Sequence, residues 1–184
     1  MNVLQIVGIA AVVLLLAGFA LYNSLVRARN TVDESWSGID VQLRRRHDLV
    51  PNLVSTVRGY AGHEAQTLDA VTTARNGALQ AGHPAAIAPA EDLLTGTLMQ
   101  LFGVIEAYPD LKADQNFLRL QAELAELEDQ IAASRRIYNG NVESFNTKMQ
   151  SFPGNLVARP AGFTAREFFE AGSHARVPSP VNFG

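Results

Sequence analysis

From Val3 to Tyr22 the chain reads VLQIVGIAAVVLLLAGFALY, twenty residues without Asp, Glu, Lys or Arg, and Gln5 is its one strongly polar side chain. At a rise of about 1.5 Å per residue a helix of this length covers about 30 Å, the hydrocarbon thickness of a bilayer. A helix satisfies its own backbone hydrogen bonds, so the segment can sit in lipid. A buried helix of a soluble core keeps a polar face, and this run has none. A cleaved signal peptide wants a basic leader, a shorter apolar core and a small-x-small cleavage site. Only Met1-Asn2 precede the core here, and Gly18-Phe19-Ala20 is a poor cleavage site. The expectation is an uncleaved, single-pass anchor over residues 1–26, with 3–22 in the bilayer. Arg27 and Arg29 follow the span closely, Arg44, Arg45 and Arg46 lie further on, and no basic side chain precedes it. The positive-inside rule then puts the N-terminus outside and the following domain in the cytoplasm, at the cell (inner) membrane.

The apolar run accounts for a composition that is 47% hydrophobic but only 18% charged, against about 25% charged in ordinary soluble domains. With 184 residues in all, one further domain is the natural content of the rest. A net charge of −3 lacks the basic surplus of a general nucleic-acid binder, so no nucleic-acid partner is expected. The absence of Cys excludes disulfides, Cys-ligated metal and a thiol nucleophile.

Beyond the anchor, apolar side chains recur at alternating steps of three and four. The first series is Val32, Trp36, Ile39, Leu43, Val50, Leu53, Val57, Tyr60, then Leu68 and Val71, a helical stripe. Its phase is the same on both sides of Pro51, which favours one long helix kinked there over two helices broken near Asp48. Thr31-Val32-Asp33-Glu34 fits a capping box that would start a fresh helix, yet Tyr22 and Leu25 stay in phase with Trp36, as in an anchor that runs straight on. The first clear break is Ala81-Gly82-His83-Pro84 followed by Pro89. A second helix is expected from about Ala90 to Ala107, on a stripe of Leu94, Leu98, Leu101, Ile105 and Tyr108, with Glu91 and Asp92 in its first turn favouring the positive end of the helix dipole. Pro109-Asp110 ends it. A third helix is expected from about Asp114, a capping residue, to Phe152, about 58 Å long. Its seam is Phe117, Leu120, Leu124, Leu127, Ile131, Ser134, Tyr138, Asn141, Phe145, Lys148 and Phe152, a heptad pattern. Pro153-Gly154 stops it, and Phe163, Phe168 and Phe169 are expected to anchor the following segment. Long helices joined by short turns pack antiparallel. The predicted fold is therefore all-α: one transmembrane helix, then an elongated antiparallel bundle of three long helices, the first kinked at Pro51, with a short C-terminal segment. The boundaries are 1–26 for the anchor, 27–172 for the bundle and 173–184 for a flexible tail.

Several stretches resemble the LemA family of bacterial membrane proteins. They are Tyr22-Asn23-Ser24-Leu25-Val26, Arg29-Asn30, Trp36, Ile39-Asp40-Val41-Gln42-Leu43, Arg46-His47-Asp48-Leu49-Val50-Pro51-Asn52-Leu53-Val54, Val57-Arg58-Gly59-Tyr60-Ala61, His63-Glu64, Glu106 to Ala113, Phe117, Arg135 to Asn139, Phe152-Pro153 and Gly162-Phe163. They cover nearly the whole chain in the family's order. His47 departs from the pattern, where the family usually carries Tyr. The resemblance implies an N-terminal anchor, a helical bundle and a short N-terminus outside the cell, and no established catalytic mechanism.

His63-Glu64 looks like the start of HExxH, but Thr67 stands where the second His must be, so the zinc motif fails. No metal and no cofactor are expected. There is no G-x-S-x-G, no Gly-rich phosphate loop and no nucleotide fingerprint. Arg44-Arg45-Arg46 with Asp48 suits an anionic ligand, or else pairing with Glu123, Glu126, Glu128 and Asp129 of the third helix. Tyr108-Pro109-Asp110 is either a plain turn or a binding tip. The candidate interaction residues are therefore Arg45, Asp48, His63, Glu64, Tyr108 and Asp110. Two functions remain. One is a non-enzymatic membrane-anchored adaptor or scaffold, meeting a membrane-protein partner or copies of itself. The other is an enzyme or ligand-binding protein with a polar site between helices built from Arg45, Asp48, His63 and Glu64. Convergence of those four around one open pocket favours the second; pairing across closed seams favours the first.

Overall fold

The computed structural model describes residues 2–170, so the predicted tail at 173–184 lies outside the described residues. The described chain is helical: α1 (Val3–Tyr60), α2 (Ala65–Gln80), α3 (Pro84–Ile105), α4 (Pro109–Lys112), α5 (Gln115–Gln150) and α6 (Asn155–Ala158). α1 passes through Thr31 and Pro51 without a break. The capping-box sequence therefore starts no new helix, and the Thr31 hydroxyl instead donates back to the Arg27 carbonyl at 3.1 Å.

The in-phase stripe predicts helix on to residue 80, but α1 stops at Tyr60. Ala61 N–H makes a last bond to Val57 O, Glu64 N–H closes a turn on Ala61 O, and Leu68 N–H bonds Glu64 O to start α2. Gly62, a poor helix former, sits in that turn. Two prolines also read differently from expectation. Pro84 opens α3 and Pro89 lies inside it. Proline is well tolerated at the first helical position, where its missing N–H has no partner to lose, so α3 starts at Pro84 rather than at the expected Ala90. Asp114 caps α5 as expected: its Oδ1 accepts the Phe117 N–H at 2.9 Å. Pro109 ends no more than a loop, and starts the one-turn helix α4.

The chain forms two compact units. The first combines residues 1–39 and 134–167. Its interior holds Leu25, Val32 and Ile39 of α1 with Tyr138, Val142 and Phe145 of α5. Trp36 packs against Tyr138 with the ring centroids 5.3 Å apart and the planes tilted by 60°. Phe163 meets Tyr22 at 5.8 Å and Phe145 at 6.3 Å, edge to face, under the Arg29 guanidinium. Asn146 holds Arg166 by two bonds of 2.9 Å, one to its carbonyl and one from its N–H. The α5 seam is partly exposed at Ser134 and Asn141 and ends at Phe145: Lys148 is exposed and Phe152 is 80% exposed, contrary to the expected seam, and Val142 is buried beside it.

The second unit runs from 40 to 133 and resumes at Phe168. Its core joins Val50, Leu53 and Val57 of α1, Leu68, Val71 and Ala74 of α2, Leu94, Leu98, Leu101 and Ile105 of α3, Leu111 of α4, and Phe117, Leu120 and Leu124 of α5. Of the aromatic anchors, Phe169 is fully buried whereas Phe168 is exposed.

Candidate functional site

Two of the apolar stripes, on α1 and α3, each have one gap. On α1 the series Ile39, Leu43, Val50, Leu53 skips position 46, and on α3 the series Ala88, Leu94, Leu98 skips position 91. Those positions hold Arg46 and Glu91, which are 4% and 1% exposed. They face each other at 3.6 Å. Glu91 is therefore not a first-turn residue stabilised by the helix dipole, as its sequence position implied, but an interior carboxylate. His47 Nε2 lies 2.6 Å from its Oε1. His47 Nδ1 is buried with no hydrogen-bond partner. Arg46 also reaches Glu128 of α5 at 3.1 Å and donates to Thr95 Oγ1 at 2.6 Å. Thr95 in turn donates to the Glu91 carbonyl at 3.0 Å. One guanidinium thus ties α1 to α3 and α5. Of the arginine cluster, Arg46 makes the expected pairing with α5, through Glu128, while Arg44 pairs along its own helix with Asp40 at 2.8 Å.

Pro51 belongs to the same assembly. A proline has no N–H, so the carbonyl four residues back is left without its helical donor. That carbonyl is His47 O, and Arg75 Nε of α2 donates to it at 2.7 Å. The proline is accommodated because a second helix supplies the missing donor.

The predicted candidates fall into two places. Arg45 and Asp48 line an open groove of about 350 Å³ with Glu123, Glu126, Leu127 and Gln130. His63 and Glu64 lie in the α1–α2 turn, where Glu64 Oε1 accepts the Tyr108 hydroxyl at 2.9 Å. That bond, then burial and the Glu64 charge, hold the Tyr108 hydroxyl above its ordinary value of 10. Tyr60, expected in the core, is half exposed, and its hydroxyl donates to Asp114 Oδ2 at 3.0 Å. Asp110 is exposed in α4. Twelve helical residues separate Asp48 from Tyr60, about 18 Å, so Arg45 and Asp48 do not share a site with His63 and Glu64. Among the described residues no group of three or more His, Cys, Asp or Glu is placed to hold a metal ion.

His47, Glu91, Thr95 and Arg75 were not among the predicted candidates. The signal for Arg46 and Glu91 was present: a charged residue on an apolar seam must find its counter-charge there, because an unpaired buried charge is too costly. The contact of His47 with Glu91 joins positions 44 apart in sequence and leaves no local trace.

The described residues are helical, with an apolar N-terminal helix continuing into a domain whose helices are joined by buried charge. This chain belongs to the LemA family, whose model matches residues 35–183. It is 31% identical to Protein LemA of Metamycoplasma hominis over 159 residues, 84% of this chain and 71% of the relative. It is 24% identical to Magnetosome protein MamQ 2 of Paramagnetospirillum magneticum over 196 residues, 92% of this chain and 72% of that one. To Magnetosome protein MamQ of Magnetospirillum gryphiswaldense it is 22% identical over 174 residues, covering 80% and 64%.

Proposed function

We propose that this protein is a membrane-anchored, non-enzymatic adaptor, and that the groove beside Arg45 and Asp48 is where its partner docks. Residues 3–22 cross the bilayer, Arg27 and Arg29 hold the following domain in the cytoplasm, and the partner is a membrane protein or a second copy of the chain. The groove carries the reading. It is open, it is edged by Asp48, Glu123 and Glu126 against the single Arg45, and Leu127 supplies an apolar floor. An acidic rim over an apolar centre selects a partner segment bearing Lys or Arg beside an apolar side chain. The buried Arg46–Glu91 cluster supports the same reading, since its members are spent on holding helices together. Crosslinking in cells, followed by mild-detergent extraction, tests it. The expected result is a recurrent membrane-protein or self crosslink that Glu123→Lys with Glu126→Lys abolishes while the chain stays folded. Crosslinks unaffected by that charge reversal would place the docking surface elsewhere. A C-terminal reporter active only outside the cytoplasm would reverse the orientation.

The alternative is a small ligand held in the same groove. A cationic metabolite that raises the melting temperature of the native chain but not of the charge-reversed one would favour it.

A further inference from the structure

The first unit carries residues that its own packing leaves unexplained. After α5 the chain turns at Phe152, Pro153 and Gly154 into α6, and this corner does not stop at the edge of the apolar span. It lies along it. Leu156, Val157 and Pro160 line one groove with Leu14, Phe19 and Tyr22 of α1. Phe152 and Pro153 line another with Leu21 and Leu25. Tyr22 is the last residue of the span, and Leu14 lies eight residues deeper, about 12 Å along the helix. Whatever packs beside Leu14 to Tyr22 shares their depth. Phe152 is 80% exposed and Leu156 is 65% exposed, large apolar surfaces with no use in water.

Two further features suit this placement. Irregular backbone is tolerated near lipid only when its polar groups are satisfied within the protein. The N–H groups of residues 155, 156, 157, 158, 161, 162 and 163 all donate to carbonyls of the same corner. The charge is also one-sided: residues 1–32 and 144–166 contain no Asp or Glu, but they contain Arg27, Arg29, Lys148, Arg159 and Arg166. Arg27 and Lys148 line a polar recess of about 270 Å³ with Ser24, Thr31, Asn141 and Ser144. Lys148 Nζ sits 3.2 Å from Ser24 Oγ. Arg27 is five residues past Tyr22, about 7.5 Å, which is the depth of the lipid phosphates when residues 3–22 fill the hydrocarbon.

We propose that the Phe152–Ala161 corner is a second membrane contact, an interfacial wedge, and that the Arg27–Lys148 recess above it takes the phosphate of an anionic phospholipid. Phe152 and Leu156 enter the upper acyl region. Arg159 reaches back to the headgroups on its long stem. The wedge rests on the reading of residues 3–22 as a span, and its test separates the two.

The chain has no Cys, so single cysteines at chosen positions take a nitroxide label without background. Labels are placed by Phe152→Cys and Leu156→Cys, with Leu14→Cys as the reference within the span and Glu143→Cys as the reference in water. The full chain is reconstituted in vesicles of phosphatidylcholine with phosphatidylglycerol. The expected result is that the labels at 152 and 156 collide with oxygen in preference to a water-soluble nickel chelate, as the label at 14 does. Labels at 152 and 156 as accessible to the chelate as the one at 143, with 14 still shielded, overturn the wedge alone. A label at 14 open to the chelate overturns the span and the wedge with it. For the recess, Arg27→Gln with Lys148→Gln is compared with the native chain by lipid retention in native mass spectrometry. A basic side chain at an anionic surface contributes about a fivefold preference, so loss of the pair lowers retention of phosphatidylglycerol over phosphatidylcholine about twenty-five-fold. The label at 14 stays shielded in that background, and inorganic phosphate does not displace the lipid. Unchanged retention, or displacement by inorganic phosphate, overturns the headgroup site.

Discussion

Pro51 and Arg75 are coupled through one carbonyl. Arg75→Ala strands His47 O in a dry environment, which costs about 1–3 kcal/mol. With Ala at position 51 the helix regains its own donor, so Arg75→Ala becomes nearly neutral in a Pro51→Ala background. Four urea melts, on the native chain, the two single variants and the double variant, check this; equal losses in both backgrounds would show that Arg75 acts through something other than that carbonyl. Glu91 is the more sensitive residue. Glu91→Ala removes the buried carboxylate beside Arg46 and the hydrogen-bond partner of His47 Nε2, an effect of about 3–5 kcal/mol. A loss below about 1 kcal/mol in the same melts would mean that Glu128 and Thr95 carry the guanidinium unaided. Asp114 brings a pH dependence. The Phe117 N–H first, and then the Tyr60 hydroxyl, hold its carboxyl below the ordinary value of 3.8. A carboxyl lowered in the folded state stabilises above its unfolded value, and that contribution fades as pH falls through the folded one. The gap in melting temperature between the native chain and Asp114→Asn is therefore widest above about pH 5, narrows from about pH 4 downward, and closes only below the lowered folded-state value.

At the scale of elements, the seam of α5 is the clearest case. Leu120, Leu124, Leu127 and Ile131 are all buried, and Leu124→Ala is expected to cost about 2–5 kcal/mol in a denaturant melt. Helical periodicity made α1, α3 and α5 legible, because a buried face must repeat at the helical step wherever it occurs. It could not show the α1–α2 turn, since Leu68 and Val71 resume in phase with Val57 and nothing but Gly62 marks the change. It misread Pro84 and Pro89 as a loop, because a proline read one at a time says break, whereas Pro84 at the first helical position says start and Pro89 follows inside the helix. The seam past Phe145 was overextended for a related reason: the spacing persists through Lys148 and Phe152, but spacing does not say whether a partner is present. At the candidate site, Arg45 and Asp48 were singled out from charge alone, Glu64 from the incomplete HExxH pattern it shares with His63, and Tyr108 from the helix stop at Pro109. The Arg46–Glu91 lock depended on matching a gap in one stripe to a gap in another, and Arg75 depended on knowing which carbonyl Pro51 orphans. Gly154 has its own local reason: a Cβ there would collide with the Lys148 carbonyl, so the corner after α5 needs glycine.

For the whole molecule, the first thing to measure is attachment. An arginine at the centre of a span costs roughly 2.5–3.5 kcal/mol, so Val12→Arg with Val13→Arg shifts the chain from the alkaline-resistant membrane fraction to the soluble one. A native chain already released by alkaline extraction would show that the apolar helix does not span. The continuity of α1 has a mechanical consequence. Between Tyr22 and the buried Leu25, Val32 and Ile39 there is no loop, glycine pair or proline, hence no swivel. Which side of the apolar segment meets a neighbour in the lipid is geared to the face that packs below it. One alanine inserted after Asn30 turns one against the other by about 100°, while seven residues bring them back to within about 20°. Twist imposed on the anchor from the lipid side therefore arrives in the first unit as torque rather than being lost in a hinge.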